Sequence, residues 1–243
     1  MRIATIVQAR TGSTRLPGKV MRDLGGETVL ARVVRRLRRA NLIGELVIAT
    51  THSPADDLIV EECRRLSVCF FRGEEKDVLD RYYRAAQSVR AEAVVRITSD
   101  CPLIEPETTD MTIRAFVEKR PDYASNALQR TYPRGLDTEV MTYAALARTW
   151  REAHQFYQRS HVTPYIYENP EKFELLSVTG DADYSTYRWT LDTAEDLEFI
   201  RAVYGHMGND DGFHWADALA LLRREPDLLE LNRHVTQKTL QEG

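Results

Sequence analysis

Short β-rich runs alternate with longer stretches of helical spacing along the first two thirds of the chain. Arg2 to Gln8 is a strand-like run carrying Ile3, Ile6 and Val7, and a Gly- and Pro-punctuated loop follows from Ala9 to Lys19. Val29, Leu30, Val33, Val34 and Leu37 then recur at intervals of three and four, one face of a helix, with arginines on the opposite face. Further strands are predicted over Glu45–Thr50, Val68–Phe71 and Ala93–Thr98. A helix over Ala55–Leu66, opened by Ser53 and Pro54, and another over about Asp77–Val89 lie between them, and Pro106 opens a third. Strand–helix alternation with short loops implies an α/β domain, a mostly parallel sheet covered by helices on both faces.

The pattern changes from Tyr123 to Asn169. Turn-forming Tyr132-Pro133-Arg134-Gly135 precedes a short extended run, Asp137–Met141, and helices bearing Tyr157, Tyr165 and Tyr167 follow. Residues 123–169 read as an insertion, a lid or a dimer arm, within a single domain spanning residues 1–243. The sheet resumes with Phe173–Val178 and Tyr187–Leu191, and Asp192-Thr193 is placed to cap a helix from Ala194. In an open parallel sheet, ligands bind beyond the carboxyl ends of the strands. The Ala9–Lys19 loop, Asp100 and Asp192 all fall at such ends.

Composition narrows the class. Hydrophobic residues make up 43% of the chain and charged residues 29%, ordinary values for a folded soluble protein. No apolar run approaches the roughly 20 residues of a membrane helix, and the apolar stretch at the N-terminus is too short for a signal peptide. Cys63, Cys69 and Cys101 lack metal-type spacing and suit a reducing compartment, so a cytoplasmic protein is expected. A net charge of −4 argues against a nucleic-acid binder. Yet Arg2, Arg10, Arg15, Lys19 and Arg22 all precede the first acidic residue, a local positive field suited to a small polyanion.

Within the first loop, Gly12 and Gly18 let backbone N–H groups approach a ligand, and Ser13 and Thr14 add hydroxyl donors. Arg10, Arg15 and Lys19 supply the charge a triphosphate requires. The loop is not a P-loop: five residues separate its glycines where that motif has four, and Val20 follows the lysine. A basic surface turn is the rival reading. Asp100 and Asp192 are candidate magnesium ligands, since Mg2+ is commonly held by one or two carboxylates plus substrate phosphates. Asp192 equally suits a helix cap, and Asp100 a turn residue before Pro102. Arg32, Arg35, Arg36, Arg38 and Arg39 read as a solvated helix face rather than an RNA-binding stripe. The six histidines show no metal spacing, and Cys101, with no activating base in sequence, reads as a packed thiol.

Taken in order, the motifs carry a resemblance. Ile6-Val7-Gln8-Ala9-Arg10 through Ser13-Thr14-Arg15-Leu16-Pro17-Gly18-Lys19 resembles the CTP-binding signature of the cytidylyltransferases that make CMP-sugars. The KDO cytidylyltransferases carry a very similar Ala-Arg-x-x-Ser-Thr-Arg-Leu-Pro-Gly-Lys. Ser99-Asp100-Cys101-Pro102 is similar to their Gly-Asp-Glu-Pro, and Leu191-Asp192-Thr193-Ala194-Glu195-Asp196-Leu197 to their Val-Asp-Thr-Pro-Glu-Asp-Leu. Asp77-Val78-Leu79-Asp80-Arg81-Tyr82, Gly135-Leu136-Asp137-Thr138-Glu139-Val140 and His161-Val162-Thr163-Pro164-Tyr165-Ile166-Tyr167 resemble the spore-coat polysaccharide subfamily more closely.

The resemblance implies a Rossmann-like fold of the nucleotide-diphospho-sugar transferase type and CMP transfer from CTP to a sugar or sugar acid. Arg10, Ser13, Arg15 and Lys19 would grip the triphosphate, with Ala9, Gly12 and Ser99 beside it and Arg72 near the cytidine. Asp100 and Asp192 would hold Mg2+; Arg10, Lys19 and Asp100 would carry the chemistry. Arg134, Asp137, Glu139, Arg159 and His161 are expected at the sugar, and a homodimer is expected through the aromatic-rich insert. Cys101 stands where the family has glutamate, and the 123–169 segment is not that of the KDO enzymes, so the sugar itself is not set. A metal-dependent glycosyltransferase is the rival enzyme, but it usually needs Asp-x-Asp where this chain has Ser99-Asp100-Cys101. A non-catalytic nucleotide-binding partner would have no use for two aspartates on one metal.

Overall fold

The computed structural model describes residues 1–239. β1 (Ile3–Gln8) is followed by a small ribbon, β2 (Asp23–Leu24) with β3 (Glu27–Thr28), and by α1 (Val29–Leu37). β4 (Glu45–Thr51), α2 (Asp57–Arg65), β5 (Cys69–Gly73), α3 (Val78–Ser88), β6 (Ala93–Thr98) and α4 (Pro106–Lys119) continue the alternation. β7 (Tyr123–Ser125), β8 (Glu139–Thr142), α5 (Tyr143–Glu152), α6 (Phe156–His161), α7 (Pro164–Tyr167) and β9 (Leu175–Ser177) come next. α8 (Ala194–His206), α9 (Trp215–Arg224) and a 3-10 turn at Pro226–Leu231 complete the described chain.

The main sheet runs β5-β4-β1-β6-β8-β7-β9. All its neighbouring pairs are parallel except those of β8, which is antiparallel to both β6 and β7. The mostly parallel, helix-flanked sheet is thus as expected. Because β4 and β5 lie on one side of β1 and β6 on the other, the sheet order reverses at β1, the place where such sheets bind ligands. Gln8 at the end of β1 pairs with Ala49 and Thr98, so the loop after β1 and the segment after β6 leave the same edge together.

Two expectations need correction. Residues 123–169 are not wholly set apart, because β7 and β8 are woven into the sheet and only α5, α6 and α7 lie between β8 and β9. Tyr187–Leu191 is extended but forms no strand. Its aromatic and apolar residues pack inward, while its backbone joins a loop: Arg134 N–H donates to Tyr187 O at 3.0 Å and Trp189 N–H to Arg134 O at 2.7 Å. Gly135 permits this approach, since with φ of 110° a Cβ would lie 2.6 Å from Trp189 C.

Apolar residues of the sheet and of α1, α2 and α4 fill one face of the core, and those of α3, α5 and α7 fill the other. A third cluster joins Trp189, Leu191, α8 and α9. The arginines of α1 do not form a solvated face. Arg36 is fully buried, donating to Ile104 O at 2.8 Å and pairing with Glu105 at 3.5 Å. Arg32 donates to Leu24 O and to Asn209 O. They clasp the C-terminal segment to α1. The three cysteines are free, and among the described residues no helix is long and apolar enough to cross a membrane.

Candidate active site

A cleft of about 890 Å³ opens at the sheet edge where β1 and β6 end. Nine lysines and arginines and five acids line it, so a net positive cleft sits in a chain of net charge −4. That arrangement concentrates small anions.

The loop after β1 is folded on itself and tied down. Gly18, left-handed at φ 67°, donates its N–H to Thr11 O at 2.9 Å, and Leu16 N–H donates to Ser13 Oγ at 3.3 Å. The anchor is Asp56, which the sequence did not reveal. Its Oδ1 accepts from Thr11 N–H at 2.7 Å and Thr11 Oγ1 at 2.6 Å, and its Oδ2 accepts from Thr51 Oγ1. Burial acts to raise the Asp56 pKa, but these bonds outweigh it and hold the carboxyl below its ordinary value.

Lys19, Asp100 and Asp192 converge although they lie far apart in sequence. Leu191 N–H donates to Asp100 O at 2.8 Å, which brings the end of the 187–191 segment against the end of β6. The Lys19 ammonium then stands 2.8 Å from Asp100 Oδ2, 2.9 Å from Asp192 Oδ1 and 2.8 Å from Leu191 O. Arg15 reaches Asp192 Oδ2 at 2.8 Å, and Arg188 reaches it at 3.0 Å. Burial works to raise the Asp100 pKa, yet the Lys19 ammonium prevails and holds the carboxyl at about 2. The Lys19 pKa is correspondingly raised: burial opposes the charge, and Asp100 and then Asp192 overcome it. Asp192 is not the cap of α8. That role belongs to Thr193, whose Oγ1 accepts from Asp196 N–H at 3.3 Å.

An ammonium held between two carboxylates marks a point where a cation is favoured. Oxygen donors on two sides, with the open cleft beside them for phosphate oxygens, suit the needs of Mg2+. Cys101 is a buried thiol whose pKa is driven well above its ordinary value by burial, with Asp100 and Asp137 adding to the shift, so it is no thiolate nucleophile.

Ala9, Arg10, Ser13, Arg15, Lys19, Ser99, Asp100 and Asp192 line the cleft together, and Arg134, Asp137, Glu139 and His161 line it further along. Gly12 does not line the cleft itself; a Cβ on it would lie 3.0 Å from Glu75 Oε1, which does. Arg72 is not brought to the cleft: it donates to Thr51 O at 2.7 Å and Ser53 O at 2.8 Å and pairs with Asp57, bracing the β4–α2 connection. Arg159 is also elsewhere, bound to Asp77 at 2.8 Å and to the carbonyls of Trp150 and Ala153. Glu139 is already enclosed by Arg96, by Tyr123 and by Thr163 Oγ1 at 2.6 Å. Asp137 is paired with Arg130. Arg134, in contrast, has no side-chain hydrogen bond or ion pair among the described residues. Of the insert's aromatics, Tyr165 packs on Phe173 and Tyr157 bonds Glu168, which leaves Phe156 exposed at the cleft rim.

A family model described as cytidylyltransferase matches residues 4–221. The spore coat polysaccharide biosynthesis protein SpsF of Bacillus subtilis is 35% identical over 93% of this chain and 95% of its own. A 3-deoxy-manno-octulosonate cytidylyltransferase of Geobacter sulfurreducens is 35% identical over 49% of this chain and 46% of its own. A cytidylyltransferase structure from Leptospira borgpetersenii superposes with a TM-score of 0.91 at 32% identity, covering 98% of this chain and all of that one.

Proposed function

The chain belongs to the cytidylyltransferase family, and from that premise we propose that it transfers CMP from CTP to an oxygen of a sugar or sugar acid, releasing pyrophosphate, in the synthesis of a surface polysaccharide or glycan. The observation that carries this reading is the Lys19 ammonium bracketed by Asp100 and Asp192 at the mouth of a basic loop.

Asp100 and Asp192 would hold Mg2+ together with the triphosphate. Bound there, the ion would neutralise charge on the phosphates and favour in-line displacement at the α-phosphorus. Arg10, Arg15 and Lys19 bind the triphosphate and stabilise charge moving onto the pyrophosphate oxygens. Ser13, Ala9 and the Ser99 segment position it, and Asp56 keeps the loop rigid through Thr11. With its carboxyl held at about 2, Asp100 serves as an anionic ligand and orienting group rather than as a strong base. Arg134 and His161 face the far half of the cleft, where the acceptor would lie; an unpaired guanidinium there suits a carboxylate or phosphate on the acceptor. Glu139 and Asp137 act through the arginines they hold. A homodimer through residues 143–169 would use Phe156, and light scattering that returns the 27.9 kDa monomer mass would contradict it.

The test is pyrophosphate release from CTP, ATP, GTP and UTP against a panel of sugars, sugar acids and sugar phosphates, with and without Mg2+. CTP- and Mg2+-dependent release with one acceptor class, and a CMP adduct by mass, is the expected result. Release from another nucleotide alone would overturn the cytidylyl assignment.

A further inference from the structure

Three cations crowd Asp192. Its Oδ1 lies 2.9 Å from the Lys19 ammonium, and its Oδ2 accepts from Arg15 at 2.8 Å and from Arg188 at 3.0 Å. The three are not alike. Lys19 and Arg15 come from the loop after β1 and line the cleft, and Arg15 has no second side-chain hydrogen bond or ion pair among the described residues. Arg188 does not line the cleft.

Arg188 is instead fixed by Asp196. Its Nε and Nη2 each donate to one oxygen of Asp196 at 2.9 Å, and its Nη1 donates to Gln237 at 2.5 Å. Asp196 is fully buried on the first turn of α8. It also accepts from Asp192 N–H at 2.9 Å, Thr193 N–H at 3.1 Å and Asn232 Nδ2 at 3.0 Å. Asn232 donates as well to Arg188 O at 3.1 Å. One carboxylate thus holds both the arginine and the turn that carries Asp192. A forked guanidinium–carboxylate pair fixes direction as well as distance.

The consequence falls on Asp192. On the proposed reading, phosphates entering the cleft compete for Arg15 and Lys19, and both can turn to meet them. Arg188 cannot follow without leaving the buried Asp196 carboxylate unmatched, which is strongly unfavourable. Oδ2 of Asp192 therefore stays tied. Oδ1 is the oxygen on the Lys19 side, and the same ammonium lies 2.8 Å from Asp100 Oδ2.

We infer that Arg188 is a positioning residue for the cation site: locked by Asp196, it holds Asp192 Oδ2 and so presents Oδ1 toward Asp100 for a divalent cation. This rests on the Mg2+ reading above. Arg188 and Asp196 form a neutral pair, so the arginine acts by orientation and does not repel the cation. Partners that orient a ligating carboxylate govern metal affinity by roughly ten- to a hundredfold.

Calorimetric titration of the full chain with CTP over a series of Mg2+ concentrations, without acceptor, tests this apart from turnover. Wild-type CTP affinity should rise with Mg2+ to a plateau. Arg188→Lys keeps a cation beside Asp196 but lacks the fork that spans Asp196 and Asp192. It should move the Mg2+ midpoint up by roughly tenfold or more and still reach nearly the wild-type CTP affinity at the plateau. Asp196→Asn leaves the Thr193 cap in place and slackens Arg188 from the other side. It should move the midpoint the same way, so either variant carries the test if the other does not fold. An unmoved midpoint in a folded variant would overturn the proposal and leave Arg188 a brace of α8. CTP binding weakened equally at every Mg2+ concentration would overturn it by making Arg188 a nucleotide contact. A lowered midpoint would overturn it by making Arg188 a competitor of the cation. Wild type whose CTP affinity ignores Mg2+ sinks the metal reading and this inference together; wild type that responds to Mg2+ beside variants with the same midpoint sinks this inference alone.

Discussion

The Lys19 ammonium lies 2.8 Å from Asp100 Oδ2, joining the end of the first loop to the end of β6 across 81 residues of sequence. With Asp192 at 2.9 Å on its other side, the lysine neutralises a pair of carboxylates that would otherwise repel each other. The same ammonium lines the cleft, where on the proposed reading it would meet the phosphates of the nucleotide. Lys19→Ala should therefore raise the KM for CTP and lower kcat together, by roughly tenfold or more each, as expected for a contact made in both ground and transition states. Steady-state kinetics with varied CTP check this; a lower kcat at unchanged KM would limit Lys19 to the transition state.

Asp56→Asn should loosen the triphosphate loop. Loss of charge-assisted bonds to Thr11 and Thr51 should cost about 1–3 kcal/mol in urea unfolding at pH 7 and raise the KM for CTP. The pH dependence has a definite sign. The folded Asp56 pKa is depressed, so its contribution is full above the unfolded carboxylate value of about 3.9 and is lost as pH falls through the lower folded value. The stability gap between wild type and variant should stay constant from pH 5 to about 8 and shrink below about 4. A gap that widened in acid would contradict the assignment.

Arg134→Met should leave folding and the KM for CTP near wild type, because the guanidinium has no hydrogen-bond or ion-pair partner among the described residues, and should raise the acceptor KM by roughly tenfold or more if the acceptor is anionic. An unchanged acceptor KM would place the anion elsewhere.

Glu139→Gln should behave as a folding variant. The carboxylate compensates Arg96 and accepts from Tyr123 and Thr163, so losing its charge leaves a cation unmatched at a cost of about 3 kcal/mol. Thermal unfolding checks this, and a normal melting temperature with impaired acceptor binding would return Glu139 to the sugar site.

The contrast between these residues shows what the sequence could reveal. Arg10, Arg15, Lys19, Asp100 and Asp192 line one cleft, and they could be singled out in the sequence because turn geometry and charge are local properties and the two aspartates follow strand-like runs. The partners that hold them were hidden. Asp56 lies 45 residues from Thr11, and Arg96 lies 43 from Glu139, and such pairings follow from the assembled sheet rather than from local pattern. Arg72 and Arg159 looked available as ligands because the carbonyls that occupy them leave no trace in side-chain chemistry. The 187–191 segment mimicked a strand because its inward aromatics alternate, yet its backbone bonds run to the Arg134 turn and to Asp100.

The most direct test of the two-aspartate site is Mg2+-dependent pyrophosphate release by Asp100→Asn, Asp192→Asn and the double variant. Each single change removes a charged oxygen at nearly constant volume and should cut turnover roughly a hundred- to a thousandfold. The double variant should lose far less than the product of the two losses, because both residues serve one cation. Multiplicative losses, or near-normal turnover in Asp192→Asn, would contradict a shared cation site at Asp100 and Asp192.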